Sequence, residues 1–170
     1  TRQQLIRLYA LYEARCEQAG VVDFAELLLR SFETLRDVPD LGEYYRERFR
    51  HLLVDEFQDT NGIQYDWLKQ LTGKTGAPFV VGDDDQSIYR WRGARVENMQ
   101  HFKREFGATV YRLEQNYRST QVILAAANAI IAKHTDRMGK ELWTAAKGGD
   151  PIRVYAAYNA LLGPKAMVTR

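Results

Sequence analysis

An α/β fold is predicted by three observations. The first fifty residues carry apolar side chains at helical spacing; two short apolar runs further on end abruptly in carboxylates; and helix-patterned segments separate those runs and follow them. Short apolar runs of this kind are how parallel strands, buried on both faces, look where they emerge at their carboxyl ends. The expectation is a parallel sheet with flanking helices, preceded by a helical segment.

Each element has its own signal. Leu5, Leu8, Tyr9, Tyr12 and Cys16 predict a first helix, which Gly20 breaks. Phe24, Leu27, Leu28, Ser31, Phe32 and Leu35 predict a second, with Asp23 as its cap and Glu26 three residues later. Pro39 and Gly42 mark a connection before a helix-leaning stretch over residues 43–49. His51-Leu52-Leu53-Val54 predicts the first strand, residues 63–71 a helix, and Pro78-Phe79-Val80-Val81 the second strand. A helix over 96–106, a third strand over 109–113, a helix over 120–132 capped by Thr120, and a fourth strand over 151–157 complete the order.

Composition narrows the class. At 170 residues, 45% hydrophobic and 27% charged, the chain is ordinary globular material with enough length for one core. The longest apolar-leaning stretch, residues 122–132, is interrupted by Asn128 and falls short of a bilayer span, so no membrane partner is expected. The single Cys16 has no disulfide partner and the N-terminal residues hold no apolar signal core, which together suggest a cytoplasmic location. A net charge of +2 gives no global basic field, so any nucleic-acid contact must be local. Basic residues collect at Arg90, Arg92 and Arg95, and again at Lys103, Arg104, Arg112 and Arg118, a pattern that solvated helix faces also produce.

Ligands of open α/β sheets bind beyond the carboxyl ends of the strands, and three such ends carry polar strings. In Asp55-Glu56-Phe57-Gln58-Asp59, an aspartate at a strand tip can hold the Mg²⁺ of a nucleotide while the adjacent glutamate orients or deprotonates a water. The same carboxylates could simply favour the start of the next helix, with Asp59 or Thr60 as cap. The string from Gly82 to Ala94 joins Asp83, Asp84 and Asp85 to Gln86, Tyr89, Arg90, Trp91 and Arg92. Its glutamine could sense a γ-phosphate and its aromatic rings could stack on unpaired bases; equally, Tyr89 and Trp91 could belong to the core. In Leu113-Glu114-Gln115-Asn116-Tyr117-Arg118-Ser119, Arg118 could act as an arginine finger or form a surface ion pair.

Taken together, Leu53-Val54-Asp55-Glu56-Phe57-Gln58-Asp59, Val81-Gly82-Asp83-Asp84-Asp85-Gln86-Ser87-Ile88-Tyr89 and Leu113-Glu114-Gln115-Asn116-Tyr117-Arg118-Ser119 resemble motifs II, III and IV of UvrD/Rep/PcrA-type superfamily 1A DNA helicases, in order and in spacing. The likeness extends from Asp23-Phe24-Ala25-Glu26-Leu27-Leu28 through Gly139-Lys140-Glu141-Leu142-Trp143-Thr144. It implies an incomplete RecA-like fold in three parts: residues 1–49 as the helical end of an inserted subdomain, 50–115 as the later half of a first motor domain, and 116–170 as the start of a second. It further implies that Asp55 coordinates Mg²⁺ and Glu56 activates the hydrolytic water. Gln86 contacts the γ-phosphate of ATP, Tyr117 stacks on the adenine, and Arg118 reaches the γ-phosphate. Tyr89, Trp91 and Arg92 line the single-strand track.

Three departures accompany the resemblance. No Gly-x-x-x-x-Gly-Lys-[Ser/Thr] loop occurs, so the phosphates have no cradle within this chain. Arg90 stands where close relatives often have glycine, and Leu161-Leu162-Gly163-Pro164-Lys165 departs from the expected acidic helix. The resulting expectation is a fragment of a 3′-to-5′ helicase of repair or replication that acts on single-stranded and 3′-tailed duplex DNA, together with proteins of those pathways, and is inactive in isolation. A nonenzymatic module binding single-stranded DNA or protein, and a helicase-nuclease, are the rival readings.

Overall fold

The computed structural model describes residues 1–134 and 138–153. The chain divides into two compact units, Thr1–Thr109 and Val110–Arg170.

The first unit begins with α1 (Arg2–Ala19), which ends at Gly20 as its sequence predicts. Helix α2 (Phe24–Asp37) starts where Asp23 Oδ1 accepts the Glu26 amide at 2.8 Å, while Asp23 Oδ2 takes the Tyr12 hydroxyl at 2.9 Å. Both bonds favour the ionised form, the Glu26 amide more strongly, and they hold the Asp23 carboxyl below its ordinary range. Helix α3 (Pro39–Arg48) corrects the expected connection, because Pro39 and Gly42 lie inside it. Proline suits the first helical turn, where its missing N–H leaves no bond unmade. Gly42 is buried, and a β-carbon there would meet the Leu35 carbonyl oxygen at 2.8 Å, so its bare backbone lets α3 close onto α2.

Strand β1 (His51–Val54) and strand β2 (Ala77–Val80) pair in parallel, with Leu53 opposite Phe79. The connection between them runs through α4 (Gly62–Thr72), giving the predicted β-α-β unit. Asn61, and neither Asp59 nor Thr60, caps α4: its side chain accepts the Gln64 amide at 2.9 Å and Gln64 Oε1 accepts the Asn61 amide at 2.8 Å. Residues Phe57–Asp59 form a 3-10 turn first, which postpones the helix start. Helix α5 (Glu97–Glu105) follows β2.

Strand alternation decides where the core sits. Leu52, Val54 and Val80 pack on a cluster of Phe57, Tyr65, Leu68 and Phe102, while Leu53 and Phe79 are exposed on the other face, Leu53 at 80%. Phe57 is fully buried and meets Phe102 edge-on at 5.4 Å between ring centroids. The Tyr65 hydroxyl donates to Glu105 Oε2 at 3.0 Å; burial first, and then that carboxylate, push the phenol pKa up.

In the second unit, α6 (Gln121–Ile131) has Thr120 at its N-cap position. Asn128, an interruption in the apolar pattern, acts as a backbone mimic: its Nδ2 donates to the Leu142 carbonyl at 2.8 Å and its Oδ1 accepts the Leu142 amide at 3.3 Å. The strand expected over 109–113 is absent, and Tyr111 and Leu113 are exposed there. Among the described residues, pairing begins only at Gln115, bridged in parallel to Trp143, and the segment before it has no continuous partner of the kind a strand requires. The strand expected over 151–157 falls largely outside the described residues, as does the string from Leu161 to Lys165.

Phe57→Ala leaves a cavity at the centre of the cluster and lowers unfolding stability by about 3–5 kcal/mol, read from urea denaturation. The Asp23 cap contributes fully above the unfolded carboxylate pKa and fades as pH falls through its depressed folded value. Asp23→Asn, which keeps an acceptor, therefore flattens the acid side of the stability-versus-pH curve measured by thermal unfolding.

Candidate nucleotide site and aromatic loop

The two strand tips are joined by backbone bonds that continue the ladder beyond the strands. Val81 N donates to Val54 O at 2.8 Å, and Phe57 N donates to Val81 O at 2.9 Å. Asp55 and Glu56 stand exposed just before the second of these bonds. Asp55 Oδ1 accepts the Glu56 amide at 2.9 Å. Glu56 has φ 49° and ψ 43°, the one non-glycine residue with positive φ among those described. Such a backbone costs on the order of 1 kcal/mol and persists where surrounding bonds over-determine it.

Here the Glu56 carbonyl accepts the Asp59 amide at 2.9 Å, and the Glu56 side chain is held by Gln58, which sequence reasoning did not single out. It is 1% exposed. Its Nε2 donates to Glu56 Oε2 at 2.7 Å, and its Oε1 accepts the Asp83 amide at 2.9 Å. Gly82 makes room for it, since a β-carbon at residue 82 would lie 2.8 Å from Gln58 Oε1 and 3.2 Å from Phe57 N. Downstream, Asp83 Oδ1 accepts the Asp85 amide at 3.0 Å and Asp83 Oδ2 accepts Gln86 Nε2 at 2.7 Å. The structure thus brings Asp55, Glu56 and the loop bearing Gln86 to one end of the sheet. Asp83, Asp84 and Asp85 also present carboxylate oxygens within 4.8 Å of one another, an acidic group distinct from Asp55.

The aromatic residues lie further along the same loop. Tyr89 and Trp91 have ring centroids 6.5 Å apart, and the Arg92 guanidinium carbon sits 5.3 Å from the first and 5.7 Å from the second. Trp91 is 80% exposed, so the core alternative does not hold for it. The loop is moored to the first strand tip by Asn98, a second residue the sequence did not flag. Asn98 is buried, and its Nδ2 lies 3.1 Å from both Thr60 O and Thr60 Oγ1. The Arg95 amide donates to the same Thr60 carbonyl at 2.9 Å.

Tyr117 and Arg118 belong to the second unit. Asn116 Oδ1 accepts the amides of Arg118 at 2.9 Å and Ser119 at 2.7 Å, fixing a turn from which both side chains project into solvent. Tyr117 is 87% exposed, its hydroxyl donating to Gln115 Oε1 at 2.9 Å.

A parallel β-α-β unit with carboxylate and amide side chains gathered at its carboxyl tips defines an α/β protein with a polar site of the kind that takes ligands at a strand end. Family comparison resolves the class further: the UvrD/REP helicase N-terminal domain matches residues 1–107 and the UvrD-like helicase C-terminal domain residues 111–163, and the chain belongs to this helicase family. It is 55% identical over 159 residues to DNA helicase II of Haemophilus influenzae, covering 94% of this chain and 22% of that protein. Against DNA helicase II of Escherichia coli the identity is 54% over 165 residues, 96% of this chain and 23% of the relative. The ATP-dependent DNA helicase UvrD1 of Mycobacterium tuberculosis is 45% identical over 160 residues, 89% of this chain and 21% of that protein. The chain therefore spans about a fifth to a quarter of the length of these curated relatives.

Asn98→Ala removes the side-chain bonds to Thr60 and leaves its half-buried carbonyl less satisfied. It should lower stability by about 1–3 kcal/mol in urea denaturation.

Proposed function

We propose that this chain is an internal segment of an ATP-driven DNA motor that moves 3′ to 5′ on single-stranded DNA and opens 3′-tailed duplexes in repair or replication. One observation carries the reading: the extended parallel ladder sets Asp55 and Glu56 beside the loop of Asp83 and Gln86, in a chain of helicase family. The proposed division is that of the sequence: residues 1–49 from an inserted helical subdomain, 50–115 from one RecA-like motor domain and 116–170 from a second. A cytoplasmic location accords with the reading. No helix among the described residues is long and apolar enough to cross a membrane.

The residues at the tip fit a hard cation. Asp55 offers an exposed carboxylate, and Mg²⁺ binds through one or two carboxylates while keeping several waters. When bound with ATP, Mg²⁺ supplies charge neutralisation at the phosphates. Asp55 holds it; Glu56 takes the proton of the attacking water; Gln86, steadied by Asp83, contacts the γ-phosphate. Tyr117 stacks on the adenine and Arg118 offsets charge at the γ-phosphate. Tyr89, Trp91 and Arg92 grip the strand by stacking and by charge. Opening a duplex opposes about 1.4 kcal/mol per base-pair step, which is why ATP hydrolysis and not a groove alone must drive it. With no phosphate-cradling loop in its sequence, the 170-residue chain has no useful turnover by itself.

A second reading rests on the exposure of Trp91 with Arg92 against it: a nonenzymatic single-strand-binding module.

Mg²⁺-ATP turnover measured with and without single-stranded DNA separates the two. DNA-stimulated turnover by the full-length protein that carries this segment, cut to a small but measurable remainder by Glu56→Gln, is the expected result; equal turnover in that variant removes Glu56 from its role. Trp91→Ala weakens oligonucleotide binding by about 1–3 kcal/mol, and affinity falls as salt rises. A salt-independent affinity would exclude phosphate contacts.

A further inference from the structure

Gln58 has no role in the chemistry described above, yet its placement is tightly specified. Its side-chain amide spans both strand tips, with the NH₂ facing a carboxylate and the C=O facing a backbone N–H, so each partner demands the orientation it receives. A buried amide with both ends occupied is rigid, because each unmade bond would cost the desolvation of its partner. The string continues: Glu56 carboxylate, Gln58 amide, Asp83 amide, and then from the Asp83 carboxylate to the Gln86 amide. The two groups assigned to the attacking water and the γ-phosphate are therefore held by one hydrogen-bonded chain. A β-carbon at residue 82 would press on the same side chain, and Glu56, on its left-handed backbone, presents its carboxylate to Nε2.

We propose that Gln58 is a positioning residue for ATP hydrolysis, fixing the Glu56 carboxylate and, through the Asp83 loop, its alignment with Gln86. The proposal rests on the motor reading. Gln58 acts by denying Glu56 its other rotamers. Displacing a reacting group by about 1 Å can cost on the order of 10²-fold in rate.

The test uses the full-length protein carrying this segment. Gln58→Glu keeps an acceptor for the Asp83 amide but turns a carboxylate toward Glu56, and Gln58→Met breaks both bonds at similar length. Each should lower kcat about 10²-fold while ATP affinity, measured by equilibrium binding, stays within about threefold. In a Glu56→Gln background, Gln58→Met should cost less than about threefold more, because a group that works through Glu56 has nothing left to position. Losses that multiply, or losses that appear in ATP affinity and not in kcat, overturn the proposal. If the Gln58 variants do not fold, Gly82→Ala presses a methyl onto Gln58 Oε1 with Gln58 intact; the same kcat loss, absent in the Glu56→Gln background, is expected, and undiminished turnover overturns the proposal. A wild-type protein without turnover defeats the motor reading itself. Active wild type with unimpaired Gln58 variants defeats this inference alone.

Discussion

Parallel pairing of β1 with β2 does not stop at the last strand residue. The bonds from Val81 to Val54 and from Phe57 to Val81 carry the ladder past the strands and clamp two loops that are distant in sequence. A parallel pair needs a crossover, and α4 supplies it on the core face, where Tyr65 and Leu68 meet Phe57. The packing that seats α4 thus also buries Phe57, and burying Phe57 fixes the residues on either side of it. Glu56 is held on a backbone it would not adopt freely, and Gln58 is driven inward to the second tip. Core and site are contiguous here, since Phe57 follows Glu56 directly.

The loop after β2 is anchored by a related economy of buried amides. Gln58 receives its start at Asp83, and Asn98 secures its far end to Thr60, so the segment bearing Gln86, Tyr89 and Trp91 is tethered at both ends to the residues after β1. Between those anchors the side chains proposed to meet DNA remain in solvent. Anchored ends with an exposed middle suit a loop proposed to carry Gln86 to the γ-phosphate and Tyr89 and Trp91 to the strand.

Periodicity made the helices legible and apolar runs the first two strands, β1 occupying the residues read at His51 to Val54, although the strands are covered on one face where burial on both was expected. The misreadings have local causes. Pro39 and Gly42 are turn-formers in general, yet the first fits a helix start and the second a close helix contact. Residues 109–113 have strand composition without a partner among the described residues, and pairing is a property of the neighbour as much as of the segment. Asp55, Glu56 and Gln86 could be picked out because strand-end chemistry has a local signature. Gln58 and Asn98 could not, since their partners lie 25 and 38 residues away and an amide side chain carries no sign of which backbone it will satisfy. Asn128 left a trace, as one polar residue in an apolar helix, but not its meaning.

The bare face of the sheet has its own consequence. Leu53 and Phe79 are paired opposite each other and turned outward, in a two-stranded sheet whose far side is already packed. Covering side chains of this size is worth about 1.5–3 kcal/mol each. A layer that settled on them would stabilise β1 and β2 by mass action, and with them the alignment of the strand tips. The geometry of the strand tips would not be a property of the tip residues alone: it would rise and fall with the occupancy of a surface on the opposite side of the sheet from its own core.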